Sequence, residues 1–145
     1  MKEFKFNLIE LESFANELSI NAKKGDIYLL SGELGVGKTT FVRFFINSLY
    51  NKYNVKVPKN IRSPSFPILI NYPLLDFEIY HYDFYRLKNI NELTELGVIE
   101  NIKKNICIIE WPEIIKNNLN LFSYYSIDIK FLSIDKRKIQ LQYFN

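Results

Sequence analysis

Gly32-Glu33-Leu34-Gly35-Val36-Gly37-Lys38-Thr39 lies between the apolar run Ile27-Tyr28-Leu29-Leu30 and a stretch where Phe41, Val42, Phe45, Ile46 and Leu49 recur at helical spacing. The pattern is Gly-x4-Gly-Lys-Thr, with a strand before it and a helix after it. Glycines in such a loop let the backbone curl, so that successive N–H groups converge on phosphate oxygens. The helix behind adds free N–H groups and the positive end of its dipole. Gly35, Val36, Gly37, Lys38, Thr39 and Thr40 are therefore the candidate nucleotide contacts. Lys38 is expected to bridge the β- and γ-phosphates, and Thr39 to give its hydroxyl to Mg²⁺. Three of the chain's five glycines fall between positions 32 and 37.

Outward from this loop, strand and helix signals alternate. Residues 4–9 alternate like a strand, and residues 10–22 carry Leu11, Phe14, Ala15 and Leu18 at helical spacing. The helix after the loop spans 38–50. Residues 51–67 are polar, contain Pro58, Pro64 and Pro67, and form the longest irregular stretch. Strands follow near 68–72 and 78–83, then a short helix from Asn91 to Leu96. Ile106-Cys107-Ile108-Ile109 is a second continuous apolar run, as expected for a strand covered on both faces. Pro112 to Lys116 could begin another helix, and 124–132 with 137–144 form a closing hairpin. This order predicts an α/β, three-layer, P-loop NTPase-like domain over residues 1–145. Its central sheet is mixed and largely parallel, and it ends in a C-terminal antiparallel hairpin.

Composition narrows the class. The chain has 145 residues, 48% of them hydrophobic, with 12 Phe and 10 Tyr, so it can build a core and disorder is not expected. Its one cysteine, Cys107, excludes an internal disulfide, suits a reducing cytoplasm and reads as a small core residue. The N-terminus has no signal-like apolar run, and no segment approaches the roughly 20 apolar residues of a membrane helix. A soluble, cytoplasmic protein with no membrane partner is expected. The net charge of +3 is spread along the chain and reads as solvated surface, giving only a weak argument for direct tRNA contact.

A phosphate loop that hydrolyses its nucleotide needs carboxylates nearby. Glu110 ends an apolar strand, where open α/β sheets place their ligands, and is the leading Mg²⁺ carboxylate. Asp83 sits among aromatics in Tyr80-His81-Tyr82-Asp83-Phe84-Tyr85-Arg86 and should have a partner, either Arg86 or the metal site. His81 is the only histidine, which makes zinc implausible, and it reads as structural. Trp111 serves either as core or as a nucleotide-sensing or docking surface. Neither Asn-Lys-x-Asp nor Asp-x-x-Gly occurs, which favours adenine over guanine. Only four arginines are present and none cluster, which argues against a phosphotransferase. A small-molecule kinase and a nucleotide-gated module without turnover remain as alternatives.

Five ordered segments resemble the TsaE family of bacterial ATPases for tRNA threonylcarbamoyladenosine biosynthesis. They are Gly32 to Thr40, Ser63-Pro64-Ser65-Phe66, Tyr80 to Leu87, Glu95-Leu96-Gly97, and Cys107 to Glu113 with its Glu110-Trp111-Pro112-Glu113 end. The resemblance implies that Thr39 and Glu110 ligate Mg²⁺, and that Asp83 and Lys38 support hydrolysis of ATP. It implies a switch role for Ser63 to Phe66 near the γ-phosphate. It also implies action on TsaD in complex with TsaB, with tRNA met only through that complex. The adenine is expected between the N-terminal region and the closing strands, with Arg137 as a contact. Ser65 stands where the family usually has Thr; the hydroxyl is kept, but loop rigidity should fall. Val98 to Asn105 lacks the aromatic and glycine common in the family, which questions the packing there.

Overall fold

The computed structural model describes residues 1–145. In chain order the elements are β1 (Lys2–Phe6), α1 (Leu8–Ile20), β2 (Ile27–Ser31), α2 (Lys38–Lys52), β3 (Leu69–Leu74), β4 (Phe77–Asp83), α3 (Ile90–Glu95), α4 (Val98–Lys104), β5 (Ile106–Glu110), β6 (Tyr124–Phe131) and β7 (Arg137–Phe144). All seven strands join one sheet in the order β1-β7-β6-β2-β5-β4-β3. The four central strands are mutually parallel, while β1–β7, β6–β7 and β3–β4 are antiparallel. This is the mixed, centrally parallel sheet expected, with its C-terminal hairpin.

The two apolar runs are the middle of that sheet, and each feeds both faces. Tyr28 and Leu30 of β2, with Ile106 and Ile108 of β5, join α1 and α2 in one core. Ile27 and Leu29, with Cys107 and Ile109, join α3 and α4 in the other. A strand buried on both sides has no polar face to display, so its sequence shows no alternation. The first core is rich in tilted ring–ring contacts. Phe14 of α1 meets Phe41 of α2 at 5.9 Å between centroids, and Phe4 of β1 meets Phe14 at 5.5 Å. Each such ring taken from water contributes about 1.5–3 kcal/mol. The same contacts fix the angle at which α2 leaves the glycine loop.

The largest departures from the sequence reading are four. The first strand stops at Phe6 because Asn7 caps α1: its Oδ1 accepts from the Glu10 backbone N–H at 2.9 Å, and its own N–H donates to the Glu10 carboxylate at 2.8 Å. β3 runs on to Leu74 through Pro73, which an edge strand tolerates. Pro112–Ile114 and Lys116–Asn118 form two 3₁₀ turns rather than a helix. Val98–Lys104 is a helix that its composition did not announce; Val98 and Ile102 are fully buried, so packing there is intact. No helix is long and apolar enough to cross a membrane.

Candidate functional site

The glycine loop joins the end of β2 to the start of α2. Gly32, Gly35 and Gly37 all have positive φ. Gly37, at φ 118°, begins the helix without any side-chain cap, and the first helical hydrogen bond runs from Phe41 N–H to Gly37 O. The N–H groups of Lys38, Thr39 and Thr40 therefore have no acceptor inside the helix. Free N–H groups at a helix N-terminus are the arrangement that suits an anion.

Three polar side chains come to this helix end from neighbouring strands, on one face of the sheet. Asp83 and His81 lie two apart on β4, so they share a side. Glu110 ends β5 directly opposite Asp83 in the register. The Thr39 hydroxyl donates to Glu110 Oε1 at 2.9 Å. Its proton is thus committed to the carboxylate, and its lone pairs are left for a cation. Asp83 Oδ1 accepts from the Tyr85 backbone N–H at 2.9 Å. Burial raises the Asp83 carboxyl above the usual carboxylate range, and the nearby Glu110 adds to the rise.

Of the two partners open to Asp83, Arg86 is not the one it meets. The Arg86 guanidinium lies over the Phe66 ring at 5.1 Å, and Asp83 faces Lys38 and Glu110. Position 86 follows the end of β4, so its side chain is not carried back along the strand.

Lys38 is buried on a bed of acceptors. Its ammonium donates to Gly32 O at 2.6 Å and Glu33 O at 3.0 Å, and it lies 4.2 Å from the centroid of the Trp111 ring. Desolvation pulls the amine below the ordinary lysine range, against the attraction of Glu110, Asp83 and Glu113. Trp111 reaches this place through a left-handed backbone, φ 55°, directly after Glu110. Its N–H donates to Leu30 O, and its ring packs 4.8 Å from Tyr85. Trp111 is thus half-buried beside Lys38 at the site, not within either core.

Two hollows flank the loop. One, of about 200 Å³, is lined by Lys38, Thr39, Ser63, Ser65, Asp83 and Glu110. The other, of about 550 Å³, is lined by Leu8, Ile9, Val36, Thr40, Ile134 and Arg137. Ser63 and Ser65 therefore stand beside the carboxylates. Ser63 Oγ accepts from Ser65 N–H at 3.2 Å, and Pro64 O accepts from Ile68 N–H. Phe66 is 80% exposed at the rim.

Arg137 lines the larger hollow, but its donors are directed at the protein itself. Nε donates to Val36 O at 2.9 Å, and Nη1 reaches the carbonyls of Ser133 and Ile134. It therefore braces the glycine loop against the β6–β7 turn. A charged hydrogen bond is worth about 1.5–3 kcal/mol. Arg137→Ala should accordingly weaken nucleotide binding roughly tenfold in a fluorescent-nucleotide titration. Arg137→Lys should recover little of it, since an ammonium lacks the planar fork.

The raised Asp83 value makes a second prediction. The folded protein holds this proton more tightly than the unfolded chain does. Stability is therefore lost as pH rises from the unfolded value through the folded one, and the penalty is complete above it. Asp83→Asn should melt higher than the parent at pH 7, with the gap closing as pH falls toward 4. Equal melting curves at both pH values would contradict the desolvation account.

His81 is the site residue that the sequence reading missed. It is fully buried, and its Nε2 lies 2.8 Å from Glu110 Oε1. The clue was its parity with Asp83 on β4. The β4–β5 register that brings Glu110 beside both could not be read from sequence. Cys107 is core, as expected, and burial pushes its thiol up to about 12.

Comparison with known proteins identifies the family and the fold. The family model described as threonylcarbamoyl adenosine biosynthesis protein TsaE matches residues 7–139. The chain is 41% identical over 128 residues to the tRNA threonylcarbamoyladenosine biosynthesis protein TsaE of Rickettsia typhi, covering 88% of this chain and 85% of that one. The protein of the same description from Bacillus subtilis is 32% identical over 123 residues, covering 82% and 73%. The crystal structure of Bacillus subtilis YdiB superposes with a TM-score of 0.70 at 27% identity, covering 97% of this chain and 84% of that one.

Proposed function

This chain belongs to the TsaE family of tRNA threonylcarbamoyladenosine biosynthesis, and from that membership we propose that it is a Mg²⁺-dependent ATPase acting on the TsaB–TsaD complex. The observation that carries the reading is the Thr39–Glu110 hydrogen bond beneath an uncapped helix N-terminus, with Asp83 in the same hollow.

The residues suit a magnesium nucleotide. No three His, Cys, Asp or Glu side chains are arranged to hold one ion among them, so the protein alone offers no cage. Mg²⁺ typically takes one or two protein oxygens and fills its shell with phosphate and water. Thr39 and Glu110 would hold it. When bound, the cation would neutralise charge on the β- and γ-phosphates.

The chain's own groups supply the rest. The free N–H groups of residues 38–40 and the Lys38 ammonium bind and orient the phosphates. Lys38 gives up carbonyl oxygens of its own loop to do so, which is a modest rearrangement. Asp83, neighbour to Glu110 and raised by burial, is placed to orient a water and accept its proton. The larger hollow, walled by Leu8, Ile9 and Ile134, takes the adenine against apolar surface.

Free phosphate release from ATP tests the reading, measured with and without TsaB–TsaD. Slow release alone, with severalfold stimulation by the complex, is expected. A phosphorylated acceptor appearing in place of free phosphate would overturn it in favour of a kinase.

Trp111 offers an optical check. A ring 4.2 Å from an ammonium reports where that ammonium goes. Adding ATP with Mg²⁺ should change the fluorescence of this single tryptophan. Unchanged emission at saturating nucleotide would mean that Lys38 does not move.

A further inference from the structure

We propose that His81 is the positioning residue of the metal-binding carboxylate: its Nε2–H holds Glu110 Oε1 so that the other oxygen faces the cation site. The proposal rests on the magnesium–nucleotide reading above.

The geometry starts from the carboxylate. Glu110 is 3% exposed and accepts two hydrogen bonds, from the Thr39 hydroxyl at 2.9 Å and His81 Nε2 at 2.8 Å. Both fall on Oε1. Oε2 is thereby left free of protein donors in the hollow that Glu110 lines. A carboxylate only accepts, so Nε2 carries a ring proton and donates it to Glu110. The other ring nitrogen, Nδ1, is buried and has no partner. Leaving such an atom unsatisfied costs about 1–3 kcal/mol. An apolar residue at position 81 would avoid that cost, so the fold keeps a ring with one unsatisfied nitrogen for what the other nitrogen does.

Thr39 alone cannot do the same work. Its hydroxyl sits at the junction of loop and helix, on the element that meets the nucleotide. His81 is fully buried on β4, and β4 is hydrogen-bonded in register to β5 itself. It reaches Glu110 from within the sheet. Partners of this kind typically change metal affinity by 10–100-fold when removed.

The test compares His81→Ala, His81→Gln and His81→Asn. The glutamine amide places an N–H near the position of Nε2, and the asparagine amide places one near Nδ1. ADP binding is titrated by calorimetry in EDTA and across a Mg²⁺ series. In His81→Ala and His81→Asn, the Mg²⁺ concentration giving half of the metal-dependent gain in affinity should rise at least tenfold. Affinity for ADP in EDTA should stay within about twofold, and His81→Gln should return close to the parent. A merely structural role would instead shift binding with and without metal alike, and would rank the variants by thermal stability. Parent-like Mg²⁺ dependence in His81→Ala overturns the proposal, as does equal behaviour of the Gln and Asn proteins. If the parent's own ADP binding is indifferent to Mg²⁺, the magnesium–nucleotide reading itself fails, and that result is distinct from either of these.

Discussion

Replacing Lys38 by alanine should abolish phosphate release, with a loss of at least about 100-fold, while the protein stays folded. The scale is that of removing one preorganised electrostatic donor from a transition state, about 2.7–4 kcal/mol. The ammonium is held by Gly32 O, Glu33 O and the Trp111 ring, and burial already draws its proton affinity down. Removing it leaves two carbonyls short of a donor but also removes a desolvated charge, so these effects on stability oppose each other. The melting temperature should move by only a few degrees. Lys38→Arg is not a rescue, because the fork is too large for a slot sized to an ammonium. Phosphate release by malachite green beside thermal melting checks both halves. Near-normal turnover in Lys38→Ala would remove the phosphate loop from the mechanism.

Gly32→Ala should fail differently, by unfolding. A β-carbon at this position would lie 2.4 Å from Ile129 O and 2.8 Å from Val36 Cγ1, and the backbone there has φ 147°. The first obstacle is main chain of β6, which cannot rotate away, and the second belongs to the loop itself. Strain at such a backbone position and a clash with a buried strand each cost about 1–3 kcal/mol. A loss of about 3 kcal/mol or more is therefore expected, read as a denaturation midpoint well below the parent's. Gly35→Ala is the control: it shares the positive φ but meets nothing within 4 Å. It should lose less stability than Gly32→Ala and should weaken nucleotide binding. Equal stability of the two variants would show that β6 does not confine the loop.

These expectations also show what could be read before the fold was known. Ile27 to Leu30 and Ile106 to Ile109 announced themselves as central strands, because burial on both faces leaves an unbroken apolar run. The glycine loop was legible because its residue types are imposed by phosphate geometry. The capping box at Asn7 and Glu10 was present in the sequence, yet the alternation through residue 9 concealed it. Helix α4 was hidden because seven residues with two buried positions give too little periodicity. In the site, Asp83 and Glu110 could be picked out singly as acids in apolar company. Their adjacency, and the approach of His81 to Glu110, depend on strand register. Register is settled by pairing between segments almost thirty residues apart, and no local pattern encodes it.

The brace from Arg137 to Val36 and the closeness of Gly32 to Ile129 have a consequence for synthesis on the ribosome. The phosphate loop is made within the first third of the chain, but two of its walls belong to the last. β1 pairs only with β7, so the first strand also waits for the final residues. A nascent chain that has emerged through β5 carries the whole glycine motif and both acids without a completed loop. Competence to hold nucleotide should therefore depend on the β6–β7 hairpin, and a product that stops after β5 should not hold it.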